Sequence, residues 1–304
     1  MIENAQLEGN KITLQKEKKV KLKSNSKKNK VSNGLIYALL TLLSIIWFIP
    51  LAWLILSSFR AEPGAFTTYI MPKAYTFDNY IKLFTETSLF NYPRWFLNTL
   101  VVAIFSCLLS TFFILGVSYA LSRLRFKMRR PMMNIALILG MFPGFMSMIA
   151  IYHILKAMGL EQSLVSLVLV YSGGSGLQYY ISKGFFDTIP KALDEAATLD
   201  GASKSTIFWK ITLPLSRPII TYSILTSFLA PWVDFIFVSV IMKDNYSNYT
   251  IALGLYQMLT RENIYKYFTQ FCAGAVIIAI PITILFIKMQ KNFVEGVTGG
   301  STKG

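Results

Sequence analysis

The chain holds 304 residues, 54% of them hydrophobic and 15% charged, with a formal net charge of +15. Soluble domains carry about 25% charged residues, so this content and a mean hydropathy of +0.49 exclude an ordinary soluble domain and describe a protein of several membrane spans. The excess of Lys and Arg excludes a nucleic-acid surface by its distribution, because it gathers in an N-terminal arm and in short loops, as cytoplasmic flanks of spans do.

Residues 1–33 are polar and carry nine lysines. They hold too few apolar groups to offset the entropy of ordering, so a disordered cytoplasmic arm is expected, with attraction to anionic headgroups as a secondary role. The apolar run that follows is long enough to span, unlike the short core of a cleaved signal peptide. Six apolar segments, at about 35–58, 96–121, 132–157, 164–182, 218–241 and 268–288, each approach the ~20 residues that cross a bilayer. The expected fold class is all-α: a six-span transmembrane domain over 34–291, with a cytoplasmic C-terminal tail at 292–304.

Orientation follows from Lys and Arg. The arm before the first span is basic, and the link after the second holds Arg123, Arg125, Lys127, Arg129 and Arg130. Both are therefore expected inside. Alternation then places 59–95, 158–163 and 242–267 outside, and both termini and the 186–217 loop inside. The short link from Gly159 to Ser163 makes the third and fourth spans a helical hairpin.

Pro50, Pro143, Pro231 and Pro281 interrupt spans, where such breaks bend a helix or line a cavity. Gly140 and Gly144 form a G-x-x-x-G pair, and Gly173, Gly174 and Gly176 follow in the fourth span. They suit close helix packing, and equally hinges. Cys107 and Cys272 lie in apolar runs and read as buried small hydrophobes. A single histidine, His153, argues against a His-based metal site or triad. Asp234 is a carboxylate inside a span, which is costly and therefore expected to face a cavity or a partner. Trp232, Gln178 and Tyr179 have the chemistry to line a polar path, although aromatic residues near span ends equally suit an interfacial belt.

The least membrane-like segment is Asp194-Glu195-Ala196-Ala197-Thr198-Leu199-Asp200-Gly201, followed by Ile211-Thr212-Leu213-Pro214. Pro190 suits a first helical turn, and Asp194 and Glu195 suit its dipole. Ala192, Ala196 and Leu199 share one narrow face, Gly201 sits where the chain needs a left-handed residue, and Ser203 caps a second short helix. The result is an extramembranous helix–turn–helix that presents a docking knob.

This segment resembles the signature loop of the membrane subunits of bacterial ABC importers, most closely the MalG-type subunits of maltose and oligosaccharide importers. The resemblance covers nearly the whole chain from the first span onward. Arg123-Leu124-Arg125-Phe126, Met141-Phe142-Pro143 and the Gly-rich tail from Gly296 to Gly304 fit it. It implies that Glu195 pairs with a basic group in an ATPase groove, that Ala196 and Ala197 allow close fit, that Gly201 sets the turn, and that Pro214 closes the loop. It also implies that the tail, through Thr298, Gly299, Gly300 and Lys303, reaches between two ATPase subunits as an extended insert. Arg261, Glu262 and Asn263 fall in the part that meets an extracytoplasmic sugar-binding protein. The implied partners are a homologous second membrane subunit, a cytoplasmic ATPase dimer, the binding protein and an oligosaccharide cargo, in a bacterial plasma membrane.

The chain carries no phosphate-binding loop of its own. The Gly-rich tail lacks G-x-x-x-x-G-K-[ST], and Gly174-Ser175-Gly176 lies in an apolar run without a βαβ context. No cofactor is therefore expected on this chain, and ATP and magnesium belong to the partner ATPase. A secondary transporter working alone predicts intramembrane charge relays and internal repeats. A membrane-embedded enzyme predicts clustered acids, His or Ser motifs near one face. One clear intramembrane acid is present, with neither of these patterns. Maltodextrin, galactan-derived and raffinose-type cargoes all remain open.

Overall fold

In the computed structural model the described residues are 32–141, 144–174 and 176–299, with the side chains of Phe145 and 292–299 outside the description. The basic arm up to residue 31, Phe142, Pro143, Ser175 and the tail positions Gly300 and Lys303 lie outside it. Among the described residues the secondary structure is helical, apart from one bridge pairing Arg60 with Tyr75. The chain divides into two units, one ending at Leu56 and the other running from Ser57.

Helix α1, Ser32–Ser58, is continuous and apolar. From Leu35 to Leu51 its large side chains are exposed, Trp47 by 77%. This is the surface of a lone apolar rod suited to lipid rather than water.

The second unit is organised around α3, Tyr92–Arg123. Asn91 caps it by accepting from the Arg94 amide, and Pro93 sits in its first turn, where the missing N–H costs nothing. At 32 residues and 1.5 Å per residue it is about 48 Å long, well beyond the ~30 Å hydrocarbon layer. It carries buried Ser106, Ser110 and Ser118, small enough to let neighbours approach closely. One neighbour is α11, Arg217–Val233, whose Ser227 hydroxyl donates to Ser110 at 3.0 Å, while Ser118 donates to the Tyr179 carbonyl at 3.0 Å.

The far end of α3 is pinned by aromatic residues. Tyr92 and Trp95 are fully buried. The Tyr92 hydroxyl donates to the Gly274 carbonyl on α14, Ile264–Gly299, at 2.9 Å, and the Trp95 indole donates to Tyr246 at 2.9 Å. Gly254, on α13, Ile251–Met258, lies under the Trp95 ring so closely that a Cβ there would fall 2.0 Å from a ring carbon. The preceding segment folds around Arg60, which is 3% exposed. Its guanidinium donates to the carbonyls of Glu62 and Gly64. Asn79 of α2, Asp78–Thr85, donates to the carbonyls of Ser58 and Arg60 and accepts from Thr269.

Not every expected span is one straight helix. Among the described residues, α1, α3 and α14 are the continuous helices long and apolar enough to cross a membrane. The third segment comprises α4, Arg129–Met141, and α5, Gly144–Ala157. The fourth comprises α6, Leu164–Gly173, and α7, Gly176–Thr188. The fifth comprises α11 and α12, Ile236–Met242, bent by 60° at the break. Pro231 in the last turns of α11 lacks an N–H, and the Asp234 side chain competes for a backbone donor at the break. The Gly140–Gly144 pair is also corrected. A Cβ added at Gly140 would touch Leu177 of α7, and one added at Gly176 would lie 3.0 Å from the Ala136 carbonyl oxygen of α4, whereas one added at Gly144 would meet no described atom within 4 Å. The expected extended tail is instead helical through Thr298 and Gly299, as the last residues of α14.

Gly254→Ala is expected to destabilise by about 1–3 kcal/mol, because the Trp95 ring has nowhere to move. Gly116→Ala meets open space and is expected to be neutral or stabilising. Thermal unfolding of both variants in detergent checks the contrast.

Candidate coupling loop and translocation cavity

The loop between α7 and α11 begins at Pro190, which is the N-cap residue of α8, Lys191–Leu199, and not part of its first turn. Ser203 caps α9, Lys204–Ile207, by accepting from the Thr206 amide. A π-helical turn, Phe208–Thr212, and a short turn, Leu213–Leu215, that holds Pro214 lead into α11. Gly201 has φ +82. The Gly201 amide donates to Thr198 and the Ala202 amide to Ala197, which is the Schellman closure that favours glycine at this position.

The loop is held by the end of α3. Arg123 has a side chain only 5% exposed, and its Nε lies 3.3 Å from the Asp194 carboxylate. Its Nη2 donates to the carbonyls of Phe186 at 2.9 Å and Ile189 at 2.8 Å. One guanidinium therefore gathers the end of α7, the bend and the first turn of α8. Ser122 donates to Asp187 at 2.6 Å, and Lys183 pairs with the other Asp187 oxygen at 2.6 Å. Burial alone would push the Asp187 carboxyl up, but the Lys183 and Ser122 bonds and the nearby Lys183 and Arg129 charges carry it below the usual carboxylate range. It stays ionised at neutral pH. The Tyr119 ring packs against Phe186 and Phe208, so both arms of the loop rest on α3.

This clamp divides α8 into two faces. Asp194 and Ala197 turn inward, whereas Ala192, Glu195, Ala196 and Leu199 are exposed, Leu199 by 90%. An apolar side chain so exposed beside two alanines and a carboxylate forms a small, close-fitting knob.

The broken helices and α3 line an open cavity of about 510 Å³. Gln178, Tyr222, Thr226 and Asp234 supply its polar wall. Gln178 donates to Thr226 at 2.9 Å, and its carbonyl oxygen is buried without a hydrogen-bond partner among the described residues. Asp234 accepts from the Tyr171 hydroxyl at 3.1 Å and from the Phe237 amide at 3.0 Å, so it satisfies one of the open amides in the first turn of α12. Trp232 does not line this cavity. It is 2% exposed in the core, packed on Phe96 and Phe228. Tyr179 faces a different crevice, together with Gly140 and Gly176.

At the other end of α3, Arg261, Glu262 and Asn263 border a concavity of about 800 Å³ with Trp95 and Tyr246. Asn263 is fixed by bonds to Gln257 and Thr260, whereas Arg261 and Glu262 are exposed. Cys107 and Cys272 are buried and free, and no metal-ligand cluster occurs among the described residues.

Residues 112–298, from the middle of α3 through α14, match the family model described as "Binding-protein-dependent transport system inner membrane component". The chain belongs to this family. Being an inner membrane component of a transport system accounts for the apolar helices. The chain is 38% identical to the Bacillus subtilis galactooligosaccharides transport system permease protein GanQ over 88% of its own length and 94% of that protein. It is 36% identical to the Streptococcus pneumoniae maltodextrin transport system permease protein MalD, covering 91% and 98% respectively. Its fold is similar to a chain of a bacterial ABC transporter involved in import of the acidic polysaccharide alginate, with a TM-score of 0.72, 21% identity, and coverage of 88% and 98%.

The Arg123 clamp escaped sequence reading. Arg123 reads as a cytoplasmic positive charge, but its carbonyl acceptor at Phe186 is 63 residues away. The unequal charge of the two α8 faces was the available signal.

Arg123→Gln is expected to release α8, because removing one partner of a buried ion pair costs about 3–5 kcal/mol. Hydrogen exchange should speed up in 186–204 while α14 stays protected; uniform loosening would refute a local clamp. Asp234→Asn should preserve α12, since an Asn oxygen also accepts from the Phe237 amide, whereas Asp234→Ala should cost about 1 kcal/mol, read as a shift in thermal unfolding.

Proposed function

We propose that the chain is the membrane subunit of an ATP-driven importer of oligosaccharides and that it forms the cargo path with a homologous second subunit. The single observation that carries this reading is the exposed α8 knob held to α3 by the Arg123–Asp194 pair. A surface so built suits a groove on a soluble partner, which we take to be a cytoplasmic ATPase dimer carrying ATP and magnesium. Motion of that partner passes through Glu195 and Leu199 into α8, and through Arg123 into α3. On this reading the loop and both termini are cytoplasmic, and the concavity bordered by Arg261, Glu262 and Asn263 faces an extracytoplasmic sugar-binding protein.

The sugar assignment is supported by the galactooligosaccharide and maltodextrin proteins to which the chain is similar. It is supported also by the cavity itself, where the unpaired Gln178 oxygen and the Tyr222 and Thr226 hydroxyl groups match a polyhydroxylated cargo. The π-helical turn and the α11–α12 break supply the bends that a switch between inward-open and outward-open states requires. The Thr298–Lys303 tail is an additional ATPase contact.

The test is uptake and ATPase activity of the complex reconstituted with its binding protein, against a panel of labelled neutral oligosaccharides. One sugar class should stimulate both activities. Glu195→Ala and Gly201→Val should leave the complex assembled with basal hydrolysis, but lower sugar-dependent uptake at least tenfold. Uptake by this chain alone, driven by an ion gradient and indifferent to ATP, would overturn the reading.

A further inference from the structure

A further crevice lies away from the cargo cavity, where α3, the π-helical turn and α11 meet. Its volume is about 360 Å³. Its walls are Leu108, Phe112 and Leu115 of α3, Trp209 and Leu213 of the loop, and Ile224 of α11. Gly116 lies on its border, and a Cβ added there would meet no atom within 4 Å, so the glycine leaves space that the protein does not fill.

Two features identify the occupant. The first is apolarity. Leu108, Phe112 and Trp209 are each exposed by 58% or more, in a chain that spans a membrane. The second is charge. From Gly201 to Val233 the sequence has no Asp or Glu, yet it carries Lys204, Lys210 and Arg217. All three are exposed, and Lys210 directly follows Trp209 on the π-helical turn. α3 likewise has no acid from Tyr92 to Arg123. A cleft with apolar walls, whose Trp209 is followed directly by the exposed cation Lys210, complements one acyl chain below an anionic headgroup, and an indole at the boundary suits the interfacial depth.

We propose that this crevice is a binding site for an anionic phospholipid, with an acyl chain between α3 and the π-helical turn and its phosphate at Lys210. The crevice shares Leu213 with the turn that joins the loop to α11, so the lipid would brace the loop from the membrane side.

Trp209 reports occupancy. The full chain with its co-purifying subunits is placed in phosphatidylcholine vesicles containing either brominated phosphatidylglycerol or brominated phosphatidylcholine at equal mole fraction. The quenching lost in Trp209→Phe gives the contribution of that indole. The expected result is an apparent affinity for phosphatidylglycerol about fivefold above that for phosphatidylcholine. Lys210→Gln should reduce this preference to near unity, and Gly116→Leu should remove Trp209 quenching by both lipids. Equal quenching by the two lipids, unchanged in Lys210→Gln, would mean bulk lipid only. Absence of Trp209 quenching in the parent protein would mean that another subunit covers the crevice. Either result would overturn the proposal.

Discussion

A guanidinium withdrawn from water at the end of a long apolar helix must find partners for its charge and its donors, and this constraint organises the loop end of the molecule. Arg123 meets it in part: the Asp194 carboxylate faces its charge and Nη2 donates to two backbone carbonyls, while Nη1 has no hydrogen-bond partner among the described residues. Desolvating the ion is costly by several kcal/mol, so these groups are obliged to stay together. The bend at Ile189, the start of α8 and the end of α7 are thereby fixed relative to α3. On the other face of α8, Glu195 and Leu199 are left exposed.

The opposite end of α3 is fixed by a different means. There the groups are aromatic, and they are set by packing at Gly254 and Gly274 with one hydrogen bond each from Tyr92 and Trp95. Between the two ends, serine-lined contact with α11 is close but carries few strong directional bonds. Tight ends and a smooth middle suit helices that shear past one another more than helices that unfold.

Much of this was legible in the sequence. The apolar segments, the left-handed Gly201, the Ser203 cap and the narrow face shared by Ala192, Ala196 and Leu199 follow from local rules, and local rules act within one helix turn. What sequence reading missed depends on contacts far apart in the chain. Trp232 has the chemistry of a path residue, yet side-chain chemistry does not set which way a helical position points, and the indole turns to Phe96 and Phe228. Arg60 and Asn79 stitch together the segment before α3, with no periodic pattern to reveal them. Of the glycines expected to allow close packing, Gly140 and Gly176 lie where α4 meets α7, whereas Gly144 does not, because a crossing point depends on the partner helix as well as on spacing.

The length of α3 carries a mechanical consequence. A rod of about 48 Å held at Tyr92 and Trp95 acts as a lever, and a tilt of only about 5° displaces its Arg123 end by roughly 4 Å, close to the ~5.4 Å of one helical turn. A small angular change at the aromatic hinge and a side-chain-sized step at the knob are thus the same movement seen from two ends. Signals that begin on either side of the bilayer would share one gear ratio, set by the number of residues between the hinge and the clamp.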